Sequence, residues 1–280
     1  MRLLATATLL ALASTALPGA RAHAQGAAIE PTRDRIVFLD GEALITVDAG
    51  GQDRRELLAL PAPLRALHTL ELAASGDAAL LQSDRATAWF ELGESAGPLR
   101  FLPCGGPASL SSDGHQVACP SYDGKGIVRY RVRPTLGAHA YERASDGPVH
   151  TLGSSDDVLI HQGGRLLRLG AEETLMAEDA PTEGIAVSPD GERFAGAFPE
   201  DDLEITYAIK LNGKGVKRTL VHAARPLRFS ANSKWLAVQQ QVDACAVRAV
   251  GGQYMCWRKY QAVDVSSHGH SILVTRAGEK

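Results

Sequence analysis

Four cysteines, only 5% aromatic residues and no surplus of basic side chains mark this 280-residue sequence. With 29 lysines and arginines against 32 acids the formal charge is −3, and no basic run breaks the balance. That argues against a nucleic-acid backbone or an anionic membrane surface as the main partner, since both are held by clustered positive charge. No two cysteines have the Cys-x-x-Cys spacing of a structural zinc site. Neither a Gly-x-Ser-x-Gly nucleophile elbow nor a His-Glu-x-x-His helix occurs. Beyond the N-terminal segment no stretch is apolar enough to span a bilayer. Nor is a 3.6-residue periodicity sustained there: Gly, Pro, Asp and Ser clusters interrupt the chain every ten residues or so, which excludes a helical protein.

What is present begins with a leader. Arg2, an apolar stretch from Leu3 to Leu17, a Pro18/Gly19 break and an Ala-His-Ala pattern predict a signal peptide over residues 1–24, cleaved after Ala24. The apolar stretch is shorter than the roughly 20 residues of a spanning helix, and no cysteine near the cleavage site could carry a lipid. The expected product, residues 25–280, is a single periplasmic or secreted domain with no membrane insertion. Cleavage removes two arginines and no acid, which moves the formal charge to −5.

The rest of the chain repeats itself. GIAVSPDGERFAGA, from Gly184 to Ala197, is an apolar run, a tight polar turn and a second apolar run, and ASLSSDGHQVACPS from Ala108 matches it closely. Looser copies begin at Leu70, His150, Leu227 and Val263. Residues equivalent to Ser188 are Ala73, Ser111, Gly153, Ser230 and Ser266, so the spacings are 38, 42, 35, 42 and 36. A period near 40 is the mark of a repeat architecture. Asp190 or Asn232 can accept backbone N–H bonds within the turn, and Gly191 or Gly269 tolerates positive φ. A second strand pair follows each motif, as in GIVRYRVRP and GRLLRLGAEETLMA.

Four short strands per unit predict an all-β fold, a six-bladed β-propeller. The last motif stops after its second strand, while RIVFLDGEALITVDAGGQ opens as a pair without a motif. Joining them gives a composite blade from both chain ends that closes the ring and hides its strand edges. Seven blades follow if Arg131 to Pro148 contains further strands.

The SPDG turn at Ser188–Gly191 followed by ERFAGA, the turn at Ser112–Gly114, and GEALITVDAGGQDRREL resemble the TolB-type, WD40-like propeller repeat over almost the whole expected product. The resemblance implies a periplasmic, protein-binding propeller in which the turn motif is structural and carries no catalytic residue. Because Ile36 already begins a blade, the N-terminal α/β domain of TolB is expected to be absent.

The cysteines fall into two local pairs, Cys104 with Cys119 and Cys245 with Cys256. Other pairings are open in principle, but local bridges across two hairpins suit an oxidising compartment. His268 and His270 read as a turn, PEDDLE (Pro199–Glu204) as an acidic turn without a calcium-loop pattern, and NGKG (Asn212–Gly215) as a hairpin turn. No catalytic residue, metal set or cofactor is expected. The best candidate for recognition is VDACAVRAVGGQYMCWRKYQ, where Arg248, Tyr254, Trp257, Arg258 and Tyr260 gather around one cysteine pair. Arg, Tyr and Trp are frequent interface anchors, although Trp257 and Tyr260 could equally cover a blade. The function expected is a monomeric, non-catalytic scaffold that binds an envelope protein. The alternative is an enzyme or small-ligand sensor that uses a central cavity, as metal-dependent hydrolase propellers do.

Overall fold

The computed structural model describes residues 8–11, 27–30, 35–48, 50–93, 96–133, 136–178, 180, 185–200, 203–210, 217–222, 225–240, 243–249, 254–266 and 271–276. They form seven sheets. The first strand of the chain, β1 (Thr8–Ala11), belongs to the last of these. Sheet 1 holds β2 (Ala27–Glu30), β3 (Arg35–Asp40), β4 (Ala43–Val47) and β5 (Arg55–Ala59). Sheet 2 holds β6 (Leu67–Leu72), β7 (Ala78–Ser83), β8 (Thr87–Glu91) and β9 (Arg100–Leu102). Sheet 3 holds β10 (Ser109–Leu110), β11 (Gln116–Pro120), β12 (Ile127–Arg131) and β13 (Gly137–Tyr141). Sheet 4 holds β14 (His150–Thr151), β15 (Val158–Gln162), β16 (Arg165–Leu169) and β17 (Glu173–Ala177). Sheet 5 holds β18 (Ile185–Val187), β19 (Arg193–Glu200), β20 (Leu203–Lys210) and β21 (Lys217–His222). Sheet 6 holds β22 (Arg225–Phe229), β23 (Trp235–Gln240), β24 (Asp243–Arg248) and β25 (Tyr254–Trp257). Sheet 7 pairs β26 (Tyr260–Val265) with β27 (Ser271–Arg276), and β1 lies parallel on the outer edge of β27.

In sheets 1, 2, 3, 4 and 6 the two middle strands are more buried than the outer fourth. The second strands read as apolar runs because both their faces are covered: every residue of β7 is buried, as are Val158, Leu159 and Ile160 of β15. The outer strand β13 exposes Gly137 to Ala140. The apolar core is divided among the sheet interfaces. Leu80 and Trp89 of sheet 2 meet Leu110 and Val117 of sheet 3, and Ala118 and Ile127 of sheet 3 meet Val158 and Ile160 of sheet 4. Similar clusters join sheets 1 and 2, 4 and 5, 5 and 6, and 6 and 7. A seventh brings Ile29, Ile36, Ile45 and Val47 of sheet 1 against Leu273 of sheet 7. Small residues such as Ala195 and Ala237, 0% exposed, let the faces approach.

Two expectations need correction. The pair β3–β4 does not complete the last motif, because Ala27–Glu30 supplies it with an inner strand of its own, Ile29 opposite Ile36. That strand lacks the Ser-x-Asp-Gly turn, so a repeat template passes over it. The composite blade expected from β3–β4 and the last motif is therefore absent, and the described residues form seven sheets instead of six. Nor does the extra sheet come from Arg131 to Pro148, where β13 is merely the outer strand of sheet 3.

The recurring turn explains itself in its hydrogen bonds. The Ser111 hydroxyl donates to Asp113 Oδ1 at 2.6 Å and accepts the Gln116 N–H at 2.9 Å, while Asp113 Oδ1 also accepts the His115 N–H. The same set recurs at Ser188 with Asp190 and at Ser230 with Asn232. Neighbouring turns are then bonded to one another. Ser75 N–H donates to Ser112 O, Ser112 N–H to Gly153 O, and Asp190 N–H to Ser233 Oγ. Trp89 Nε1 of sheet 2 donates to Gly114 O at 2.9 Å. The Cys104–Cys119 disulfide, Cα atoms 5.7 Å apart, adds a covalent tie between the segment leaving sheet 2 and β11.

Gly114 is constrained twice. Its φ is +72°, and a Cβ there would lie 2.6 Å from Ala78 Cβ of sheet 2. Gly41 has φ +62° with nothing within 4 Å. Gly114→Ala is therefore expected to cost on the order of 2–4 kcal/mol, backbone strain plus overpacking, and Gly41→Ala about 1 kcal/mol. Urea unfolding of the two variants checks this.

Candidate functional site

Two places gather polar side chains: a cavity where the inner strands converge, and the outer hairpin of sheet 6. The cavity, about 260 Å³, is lined from all seven sheets. The residue two before each motif marker points into it, giving Glu71, Ser109, Thr151, Ala186, Arg228 and Asp264. The motif turn fixes the register of the inner strand that precedes it, so one repeat position lines the cavity in sheets 2 to 7.

Two carboxyls share one arginine in this cavity. Arg228 reaches across it to donate to Leu72 O on β6, and its Nε lies 3.8 Å from Asp264 Oδ1. Asp264 accepts the Ile29 N–H of sheet 1 at 2.9 Å and the Val265 N–H at 2.8 Å. Glu71 accepts the Leu110 N–H at 3.1 Å. Burial pushes both carboxyls above the usual range, with Arg228 and the N–H donors pulling back. Hydroxyls complete the wall: Thr151 Oγ1 donates to Leu110 O and lies 3.1 Å from Ser109 Oγ. Among the described residues no group of three or more His, Cys, Asp or Glu is placed to hold a metal ion. The repeat alignment carried the signal for Glu71, Arg228 and Asp264, but only when read down the column two before the turn.

On the cavity wall, His150 packs edge to face on His161, ring centroids 6.0 Å apart. His150 Nε2 and both ring nitrogens of His161 are buried without a hydrogen-bond partner. Burial, with His161 adding to it, pushes His150 down to about 3, and burial also lowers His161 against the pull of Asp146.

The hairpin of β24 and β25 is stapled where Cys245 stands directly opposite Cys256, Cα atoms 4.1 Å apart. The five candidate residues separate here. Trp257 and Tyr260 are half-buried, packed with Trp235 against Ala237, Ala244, Ala246 and Val265 between sheets 6 and 7. Arg248, Tyr254 and Arg258 are exposed, Tyr254 at 60%. His268, His270, the NGKG turn at 212–215, and Asp201 and Asp202 lie outside the described residues.

No model of a known protein family matches the sequence, and no curated protein matches it. Solved structures do resemble the fold. TolB from Acinetobacter baumannii aligns with TM-score 0.54 and 15% identity over 81% of this chain, which spans 60% of the TolB chain. An oligogalacturonate lyase in complex with manganese aligns with TM-score 0.58 and 13% identity, over 84% of this chain and 76% of the lyase. The β-propeller domain of Cps50 (Swd1) from Myceliophteria thermophila gives 0.59 and 11%, over 88% and 90% of the two chains.

The buried histidines set a pH dependence. The unfolded chain binds their protons below about pH 6.5, whereas folded His150 stays neutral down to about 3, so the histidine contribution to stability falls on acidification. At pH 5 the His150 share is expected to be about 2 kcal/mol relative to pH 7.5. Urea midpoints of wild type and His150→Asn, compared at the two pH values, check it: wild type should lose more.

Together with the seven core interfaces, these likenesses make the architecture of this chain that of a β-propeller.

Proposed function

We propose that this chain is an exported, TolB-like β-propeller of the periplasm that serves as a non-catalytic protein-binding or scaffold module. The observation that carries the reading is the stapled hairpin of sheet 6, which offers Arg248, Tyr254 and Arg258 to solvent above a base of Trp257 and Tyr260. An exposed tyrosine between arginines on a covalently braced strand pair loses little freedom on binding, and such residues are frequent interface anchors. Two disulfides fit an oxidising compartment, and the leader-like start of the sequence points the same way.

The same reading includes a seven-bladed ring. It is supported by one apolar cluster for each consecutive pair of sheets, sheet 7 with sheet 1 among them, and by the bond from Ile29 N–H to Asp264 across the ends of the chain. Such a ring is a rigid frame on which surface loops hold their geometry.

Affinity capture from a crosslinked envelope extract tests the reading, comparing wild type with Tyr254→Ala/Arg258→Ala. Both substituted side chains are exposed, so the melting temperature should hold while a discrete envelope protein, retained by wild type, is lost. Equal retention by both proteins, or retention of nothing by wild type, contradicts the proposal. Trp257→Ala is a poorer probe, since it also removes packing between sheets 6 and 7.

A further inference from the structure

We infer that the groove between the motif turns of sheets 5 and 6 is an anion-recognition site for an acidic, Asp/Glu-rich segment of a partner protein. The inference rests on the binding role proposed for the neighbouring hairpin and names the chemistry of its partner. The groove, about 340 Å³, is lined by Asp190, Arg193, Asn232, Ser233, Lys234 and Arg248. Its three cations are not equivalent. Arg193 is engaged, 3.7 Å from Asp190 and 3.6 Å from Glu192. Lys234 and Arg248 are exposed, and neither side chain has an ion-pair partner among the described residues.

The fold holds those two side by side. Trp235 stands opposite Arg248 across β23 and β24, and the Ala249 N–H closes on Lys234 O at 2.9 Å. The uncharged groups have their acceptor atoms occupied. Asn232 Oδ1 already accepts Ser230 Oγ and the Lys234 N–H, which leaves its amide NH2 to donate. Ser233 Oγ accepts the Asp190 N–H at 3.0 Å, which leaves its hydroxyl proton to donate. An ammonium, a guanidinium, an amide and a hydroxyl therefore share one recess with donor capacity unspent, on a chain whose formal charge is negative. Carboxylates are acceptor-only and form the stronger, charge-assisted bonds with such donors. Tyr254 stands opposite Val247, the residue before Arg248, on the same stapled hairpin.

The test measures fluorescence anisotropy of a fluorescein-labelled peptide alternating glutamate and aspartate around one tyrosine, and of its Gln/Asn counterpart, with the full chain. The acidic peptide should bind at least about tenfold tighter than the amide form and weaken as salt rises from about 50 to 300 mM. Lys234→Glu/Arg248→Glu should weaken it about tenfold or more at an unchanged melting temperature, while Arg165→Glu, an exposed cation on sheet 4, should leave it as it was. Equal binding of the two peptides, indifference to the double charge reversal, or displacement of the acidic peptide by inorganic phosphate at equal charge overturns the inference. Loss of the captured envelope protein on Tyr254→Ala/Arg258→Ala but not on the charge reversal sinks the groove and leaves the hairpin reading standing. Peptide binding at the groove with no captured protein does the reverse.

Discussion

The serine hydroxyl that opens the motif turn at Ser111, Ser188 and Ser230 holds together what the rest of the fold depends on. It donates to the Asp or Asn two residues on, accepts an N–H five residues on, and so stiffens the reversal that brings the second strand of sheets 3, 5 and 6 back on the first. A buried turn must satisfy its own backbone groups, and this one does so within six residues. The backbone groups still free are turned outwards and bond the turn of the next sheet, from Ser75 through Ser112 to Gly153 and from Asp190 to Ser233. The tight approach at Gly114, where a Cβ has no room, follows from the same interlocking.

Because the turn fixes the register of the inner strand before it, it also decides what lines the cavity. Glu71, Arg228 and Asp264 occupy one repeat position in three different sheets, and Arg228 joins all three across the cavity. Two buried carboxylates, each with a backbone donor, depend on one half-buried arginine, and removing it leaves both acids without a counter-charge. In the cavity Arg228 ties sheets 2, 6 and 7 together, while the exposed Tyr254, Arg248 and Arg258 lie on the hairpin of sheet 6.

Much of this was legible in the sequence where a local rule sufficed. Ser188–Gly191 and Ser111–Gly114 carry their turn geometry in their own side chains, and the two cysteine pairs were readable because each bridges strands close in the chain. Where the rule is not local, reading failed. Ala27–Glu30 has no motif turn after it, so a repeat template joins β3 and β4 to the last motif, whereas they belong to sheet 1. The same Ser-x-Asp-Gly bonds recur at Ser121–Gly124 between β11 and β12, where no repeat marker was expected. Glu71 and Asp264 look like ordinary strand residues until the repeats are aligned in register, and the burial of His150 and His161 depends on packing that no short window contains.

That second occurrence isolates the central claim, that the motif turn matters because it interlocks sheets and not merely because it reverses the chain. Ser111 and Ser121 make the same internal bonds, but Ser111 is 0% exposed and its turn is bonded to sheets 2 and 4, whereas Asp123 of the second turn lies in solvent. The most direct measurement is the urea-unfolding free energy of Ser111→Ala beside that of Ser121→Ala. The account expects a loss on the order of 2–3 kcal/mol for Ser111→Ala and about 1 kcal/mol or less for Ser121→Ala. Equal losses at the two positions would contradict it.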